Sequence, residues 1–334
     1  MGGCSRSEAR ARLRRRFRGY FAVLYTPIDA SGEIDEPGLR HNVEHVLGLP
    51  GVGGLSVNSI HQEFWTLTLD ERMRVAEIVL ETTGARVPIV VGVSDPATRN
   101  VIRLARHAER AGADAVMVWP PYYGPRAPEG VDRFYREVGD AIDIGFLAYS
   151  TTLAELGHYL TPEALAELLD IEHLCGVQDT SQSFANFANM VERVGHTIAV
   201  STSLEETFLF GRQVFGPDRM PDFLIGSSRP LLVQSAAQPR CGRYLDAVLA
   251  SDYAGAAQAM REIVRIAQRL QGRYFSRGSH HVALTKTLAG YLGMKTGGFR
   301  PPLSPPSPQE LDECLQVLVD AGLLAGHPAS GAGV

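Results

Sequence analysis

Past residue 19 the chain alternates two hydrophobic periods. Short apolar runs that end in small or polar residues recur eight times: GYFAVLYTP (19–27), GGLSVNS (53–59), VPIVVGVS (87–94), DAVMVWPP (114–121), IGFLAYS (144–150), LCGVQD (174–179), TIAVST (197–202) and DFLIGSS (222–228). Runs of this length without polar alternation read as strands buried on both faces, the pattern of a parallel sheet. Amphipathic segments of helical length lie between most of them. TLTLDERMRVAEIVLETTGA has Thr68 and Glu71 in capping-box spacing, Met73, Ala76, Val79 and Leu80 at helical spacing, and Gly84 at its stop. TRNVIRLARHAERAGA places Val101, Leu104, Ala105 and Ala108 on one stripe and ends at Gly112.

Eight such strands with interleaved helices over about two hundred residues predict an α/β fold, a (β/α)8 TIM barrel across 19–230. The competing doubly wound sheet lacks its signature, because no GxGxxG follows the first strand; Gly51, Gly53 and Gly54 precede the second and read as a tight turn. From about Pro230 the strand pattern stops. RYLDAVLASDYAGAAQAMREIVRIAQRL, HHVALTKTLAGYL and SPQELDECLQVLVDAGLL read as helices of a C-terminal helical domain over 231–325, with the Pro-rich link RPPLSPPSP before the last. The small, polar residues 326–334 are expected to be a disordered tail.

Composition narrows the function classes. With 334 residues, 45% hydrophobic and 21% charged, the chain can bury a large core. Its net charge is −5, and the only basic stripe is the N-terminal MGGCSRSEARARLRRRFRGY, so no nucleic-acid partner is expected. That lead-in, residues 1–18, reads as a solvated helix, and Arg6 stands where a myristoylation signal needs Ser or Thr. No apolar run of about eighteen residues and no signal-peptide core occur, so no membrane partner is expected and a cytoplasmic location is. Cys4, Cys175, Cys241 and Cys314 show no CxxC spacing, which points away from a zinc site or a disulfide framework. His41 and His45 have chelating i,i+4 spacing but lie in HNVEH rather than HExxH and read as structural. Neither a metal nor a cofactor is expected.

A barrel of this kind carries its active site at the C-terminal ends of its strands. The residues there are Thr26, Asn58 to Glu63, Tyr122 and Tyr123, Tyr149, Gln178, Thr202, Ile225 and Ser227 to Arg229. Tyrosines, a histidine, an amide and an arginine converging at one mouth would bind and protonate a small polar substrate.

At these residues the sequence resembles the dihydrodipicolinate synthase/N-acetylneuraminate lyase family of class I aldolases, from Gly19 to Leu324. FAVLYTPID resembles its first strand, GVGGLSVNSIHQEFWTLTLDER its second strand and following helix, and AGADAVMVWPPYYGPRAPEGVDRFY its fourth strand with a Tyr pair. KTLAGYLGMKTGGFRPPL is similar to its C-terminal region. The resemblance implies a TIM barrel with a three-helix C-terminal domain, a homo-oligomer (dimer or tetramer), and carbon–carbon bond chemistry through a lysine Schiff base with a 2-keto acid. Tyr123 and Tyr149 match the tyrosines that relay protons in the family.

The sequence departs from that family in its site. The Schiff-base lysine of a G-[VI]-K-[DE]-[ST] context is Gln178 in GVQDTS, and the chain's two lysines, Lys286 and Lys295, both fall in the C-terminal region. The carboxylate-binding loop G-T-T-G-E reads Ser59, Ile60, His61, Gln62, Glu63. The family's arginine after the fifth strand is absent near Ala154. The expected catalytic set is therefore Tyr149, His61, Tyr123 and Gln178, with Ser59, Ile60, Gln62, Thr202, Ile225 and Arg229 around the substrate. His61, with an ordinary pKa of about 6.5, suits acid–base work near neutrality. Arg229 would replace the missing anion contact, or else cap Glu205 or Glu206; Trp65 and Trp119 read as packing at the mouth. Three functions fit: a lysine-independent lyase, hydratase or isomerase on a small oxygenated metabolite, which the new side chains favour; an inactive homologue that binds a metabolite or a partner subunit; and an ordinary aldolase, for which the barrel has no lysine.

Overall fold

The computed structural model describes residues 5–124, 127–152, 159–272 and 280–327. Among these, eight parallel strands form one sheet in the order β7-β6-β5-β4-β3-β2-β1-β8. They are β1 (Gly19–Val23), β2 (Val52–Val57), β3 (Ile89–Gly92), β4 (Ala115–Val118), β5 (Phe146–Thr151), β6 (Leu174–Thr180), β7 (Ala199–Ser201) and β8 (Phe223–Ser227). Each falls on one of the eight apolar runs. The seam between β7 and β8 is bridged by Ile225 N donating to Thr202 O at 3.0 Å and Ser201 Oγ to Phe223 O at 2.8 Å. The expected (β/α)8 barrel with a C-terminal helical region is the observed fold.

Helices α1 (Ala9–Arg16), α2 (Glu36–Leu47), α3 (Leu69–Thr83), α4 (Thr98–Ala111), α5 (Pro128–Asp140), α6 (Pro162–Glu167), α7 (Phe184–Val194) and α8 (Glu205–Arg219) precede the last strand. The apolar faces of α2 to α8 meet the outer face of the sheet in one core. α3 begins at the capping box read from Thr68 and Glu71 and stops at Gly84. Its buried stripe is Val75, Ala76, Ile78 and Val79, rotated from the expected one, with Met73 and Leu80 at its margin. The rotation also buries Arg72, which donates to Ser94 O at 2.9 Å and lies over the Phe64 ring. In α4 the four expected residues are the buried ones.

The basic lead-in is more than a solvated helix. α1 lies under the barrel and inserts Ala9, Leu13 and Phe17 into the same apolar cluster as the interior residues Phe21, Ala115, Cys175 and Phe223. The Phe17 ring sits 4.4 Å from Phe21 and 5.4 Å from Phe223, close enough for aromatic contact. Its arginines fasten the plug. Arg10 donates to the carbonyls of Leu169, Ile171 and Leu174 at 2.7–2.8 Å, Arg16 pairs with Asp114 at 2.9 Å, and Arg6 with Asp143 at 2.7 Å. A run rich in arginine looks solvated in sequence because period alone does not show that every third or fourth residue is small or apolar and faces inward.

After β8 come the short α9 (Arg229–Leu232), α10 (Arg240–Leu249), α11 (Tyr253–Ala267) with a π-helical turn at Gln268–Gly272, α12 (His280–Tyr291) and α13 (Pro308–Asp320). On α13, Cys314, Leu315, Val317 and Leu318 are buried within the chain itself. Of the tail expected at 326–334, residues 328–334 lie outside the described residues, as does Ala154.

Candidate active site

At the C-terminal ends of the strands lies a cavity of about 90 Å³. Its wall comes from the loop after β2 (Asn58 to His61), from Met117 and Trp119 of the β4 end, Tyr149 of β5, Gln178 and Thr180 of β6, and the turn from Gly226 to Arg229. Gln271 of the π-turn and His281 of α12 close it from the C-terminal region. A π-turn is frequent at functional sites, and here it aims Gln271 at the barrel, where Nε2 donates to Ser228 Oγ at 2.8 Å.

Parallel register sets the chemistry of one wall. Tyr149 and Gln178 are Cα partners across β5 and β6, and Thr180, two residues on, shares the Gln178 face. Thr180 Oγ1 donates to the Tyr149 hydroxyl at 3.0 Å, and the phenol ring stacks on Trp119 with centroids 4.6 Å apart. Burial pushes the Tyr149 pKa up to about 12, so at neutral pH the phenol keeps its proton. Gln178 lies against the backbone of Gly226, which has φ 81; a Cβ there would stand 2.6 Å from Gln178 Nε2. Glycine therefore meets two demands at that position.

The loop after β2 forms the second wall and is strained. Asn58 (φ 53) and Glu63 (φ 56) both hold left-handed conformations that glycine favours. Asn58 Oδ1, Ser59 Oγ and His61 Nδ1 are buried with no hydrogen-bond partner among the described residues, which suits a wall that awaits a ligand. His61 faces Tyr25 and His281 edge-on, with centroids at 6.0 and 5.9 Å. Burial, aided by repulsion from His281, lowers its pKa to about 3. The imidazole is thus neutral across the physiological range, not poised at neutrality as its ordinary pKa suggests. Gln62 turns away from the cavity: its Oε1 accepts from Asn58 N at 2.6 Å and its Nε2 reaches Thr26 Oγ1 at 3.4 Å, so it fills the loop from within.

Below this loop Lys286 of α12 meets Glu63 at 2.9 Å, donates to Gly298 O at 2.9 Å and lies over the Phe299 ring. Both members are buried, and burial raises the Glu63 pKa and lowers that of Lys286. The pair ties α12 to the loop that carries His61; the Lys286 amine is spent on that contact and does not line the cavity.

Arg229 reaches the cavity wall already engaged. Its guanidinium bonds Glu205, and it bonds Glu206 through two nitrogens at 2.6 and 3.0 Å. Burial raises the Glu205 pKa against the pull of Arg229, while for Glu206 burial is outweighed by the Arg229 bonds and the pKa falls. Tyr20 donates to the Glu205 carboxylate at 3.0 Å and Tyr244 to its main-chain oxygen at 2.7 Å.

Residues 16–321 match the model of the dihydrodipicolinate synthetase family. The chain belongs to that family. A 4-hydroxy-tetrahydrodipicolinate synthase of Phenylobacterium zucineum (strain HLK1) is 29% identical over 92% of this chain and 98% of its own length. Another, of Thermomicrobium roseum (strain ATCC 27502 / DSM 5159 / P-2), is 30% identical over 92% of this chain and 97% of its own. Among solved structures, YagE of E. coli K12, a prophage protein of the dihydrodipicolinic acid synthase family in complex with pyruvate, superposes with a TM-score of 0.77 at 24% identity, covering 92% of this chain and 99% of that one. CdNal of Clostridium difficile in complex with mannosamine gives a TM-score of 0.77 at 19% identity, over 91% and 99%.

Of the residues expected at the family's active site, Ser59, Ile60, His61, Tyr149, Gln178 and Arg229 line one cavity. Tyr123 does not: it is 82% exposed, and its neighbour Tyr122 is the one that turns inward, against Phe64. Thr202 and Ile225 are buried at the β7–β8 seam rather than in the cavity wall, and Gln62 is buried inside its loop. His281, Gln271 and Gln182, which line the cavity, were not expected. The adjacent histidines of SHHVALTK were the available signal for His281; nothing in the local pattern marks Gln271. His41, on α2, bonds Gly293 O at 2.9 Å. Among the described residues no group of three potential metal ligands occurs, and no helix is long and apolar enough to cross a membrane.

Proposed function

We propose that this family member catalyses a lyase, hydratase or isomerase step on a small oxygenated metabolite without an imine. In this reading Tyr149 is the proton donor, and His61 and Gln178 hydrogen-bond the oxygen that gains charge. The observation that carries it is the convergence of these three side chains on one small cavity at the C-terminal end of the barrel. A phenol with a pKa of about 12 is an acid held in its protonated form, with Thr180 to reorient its proton. A neutral imidazole polarises a carbonyl oxygen by hydrogen bonding rather than by titrating. The Gln178 amide adds a donor, and hydrogen bonds fixed in advance around a developing oxyanion are the largest single source of rate in such sites. An amide forms no imine, and the Lys286 amine is held by Glu63 and Gly298.

Hydrogen exchange tests this whichever product forms. The protein is incubated in D2O with small hydroxy-aldehydes, hydroxy-ketones and lactones, and exchange of hydrogens next to the carbonyl is followed by NMR. We expect exchange with at least one class, in which solvent takes the hydrogen next to the carbonyl while the site hydrogen-bonds the enolate oxygen and solvent deuterium returns to carbon; it should be lost in Tyr149→Phe, and the protein mass should be unchanged after borohydride treatment with pyruvate. A borohydride-trapped adduct on Lys286, or exchange that survives Tyr149→Phe, overturns the reading.

A further inference from the structure

The arginine that would be expected to hold a substrate carboxylate is held by two carboxylates of its own chain. Arg229 brings one positive charge to the cavity wall, and Glu205 and Glu206 bring two carboxyl groups to Arg229. Whether or not Glu205 carries a proton, the trio has no positive charge to offer. Its geometry is also fixed. The Glu205 side chain is fully buried and takes a further bond from Tyr20, so an Arg229 that swung towards a ligand would leave a buried carboxylate unpaired. Of the other polar groups on the wall, Ser59, Gln178, Thr180 and Tyr149 carry no charge and His61 is neutral, and among the described residues Arg229 is the only lysine or arginine that lines the cavity. Two of them, Ser59 and His61, have polar atoms without a partner among the described residues that an uncharged ligand would fill.

We infer that the Glu205–Arg229–Glu206 cluster selects against carboxylate substrates, that the cavity takes an uncharged hydroxy-carbonyl compound, and that Glu206 is the residue that sets this choice. The inference rests on the proposed function only in taking this cavity as the substrate site. Glu206 is the more accessible of the two carboxylates, with a quarter of its side chain exposed (26%), so its charge can be removed with the Glu205 bond left in place. An Arg229 relieved of one carboxylate would regain N–H groups for a ligand anion, in a cluster with one negative charge fewer.

Pyruvate and pyruvamide are the matched probes, since they differ only in replacing a carboxylate by an uncharged amide. Calorimetric or NMR titration of the wild-type protein is expected to favour pyruvamide by about tenfold or more. In Glu206→Gln the preference is expected to move towards pyruvate by about tenfold, with pyruvamide changing far less. Glu206→Asp, which keeps the charge, is expected to keep the wild-type preference, and thermal melts confirm that each variant is folded. A wild-type protein that binds pyruvate more tightly than pyruvamide overturns the inference and leaves the proposed function standing, as does a Glu206→Gln variant with an unmoved preference. Binding of neither probe overturns both.

Discussion

The two ends of the barrel are built from the same strands and solved in opposite ways. At the N-terminal end, α1 brings Phe17 against Phe21 and Phe223 and buries Leu13 in the same cluster, and its arginines find carbonyls and carboxylates. At the C-terminal end, the loop after β2 keeps two residues in left-handed conformations and leaves Asn58, Ser59 and His61 with unpaired polar atoms. One end is plugged by a helix and the other is held open. Hydrogen bonds left unmade and backbone held in sparsely populated conformations reduce stability, so they persist where a ligand makes use of them. The contrast supports the proposed site at the open end, and it predicts that substitutions at the two ends have separable effects.

The largest effect is expected at the closed end. Phe17 is buried between two other phenyl rings, so Phe17→Ala removes a full aromatic side chain and leaves a void that a rigid barrel cannot collapse. A loss of about 3–5 kcal/mol is expected in urea denaturation, with ligand binding at the far end unchanged wherever the protein is still folded. A variant that lost binding in step with stability would show that the ends are coupled.

Tyr149→Phe is the converse. The ring stays on Trp119 and loses only its hydroxyl, whose partner Thr180 has Ser150 O as an alternative at 3.4 Å. Stability should move by about 1 kcal/mol or less. Turnover, measured by the exchange reaction, should fall by about a hundredfold or more, the usual range for removing a positioned proton donor. Equal losses of stability and turnover would erase the distinction between the two ends.

The barrel was legible in the sequence because it rests on local patterns, eight apolar runs, the Thr68–Glu71 box and the Val101–Ala108 stripe, whereas the plug at its closed end was not, since the arginine-rich run of α1 reads as solvated. The open end was legible at Tyr149 and Gln178, whose direction follows from strand parity, and at Ser59, Ile60, His61 and Arg229, which the family resemblance marked. Gln62 shows why the rest was not. It sits one residue past His61 in a single tight turn, and that step decides whether an amide faces the cavity or closes the loop on Asn58. His281 and Gln271 return to the cavity from more than forty residues beyond the last strand, a long-range return that no local period records. The engagement of Arg229 was visible as an alternative because Glu205 and Glu206 are adjacent acids; choosing between the alternatives took distances.

A pH dependence follows from His61. Its folded pKa is about 3 against an ordinary 6.5, so between those values the unfolded chain binds a proton that the folded chain refuses. Stability is then unaffected by this group above pH 6.5 and falls as pH drops towards 3, at about 1.4 kcal/mol per pH unit. By pH 5 the loss from this residue alone should be about 2 kcal/mol. His45 and His173 are also lowered, mainly by burial, and act in the same direction. Subtracting the profile of His61→Asn from that of the wild type isolates the open end's share. A difference that is flat between pH 5 and 7 would mean that the imidazole is hydrated and that the loop is less enclosed than its geometry implies.

The smallest effect is expected from the substitution that looks most decisive. On the proposed reading, Gln178→Lys returns to β6 the amine that the family resemblance implies there, yet pyruvate turnover should stay close to that of the wild-type protein. An amine reacts as a nucleophile only when deprotonated, and here it would stand beside a wall whose nearest charged cluster holds two carboxyl groups against one guanidinium, which favours the ammonium. The keto-acid carboxylate would also lack its anchor. Arg229 is clamped, Ile60 and His61 occupy the loop, and replacing Gln62 by glycine would not open the cavity, because that side chain lies inside the loop and secures Asn58. A carbonyl misplaced by about 1 Å can lower the rate on the order of a hundredfold even where an imine forms. Borohydride trapping should therefore reveal a minor adduct with little turnover, and combining Gln178→Lys with Glu206→Gln should trap more pyruvate than either change alone. Efficient pyruvate aldol cleavage by the single variant would show that a carboxylate is held after all, and that the open end is an aldolase site short of one lysine rather than one rebuilt for an uncharged ligand.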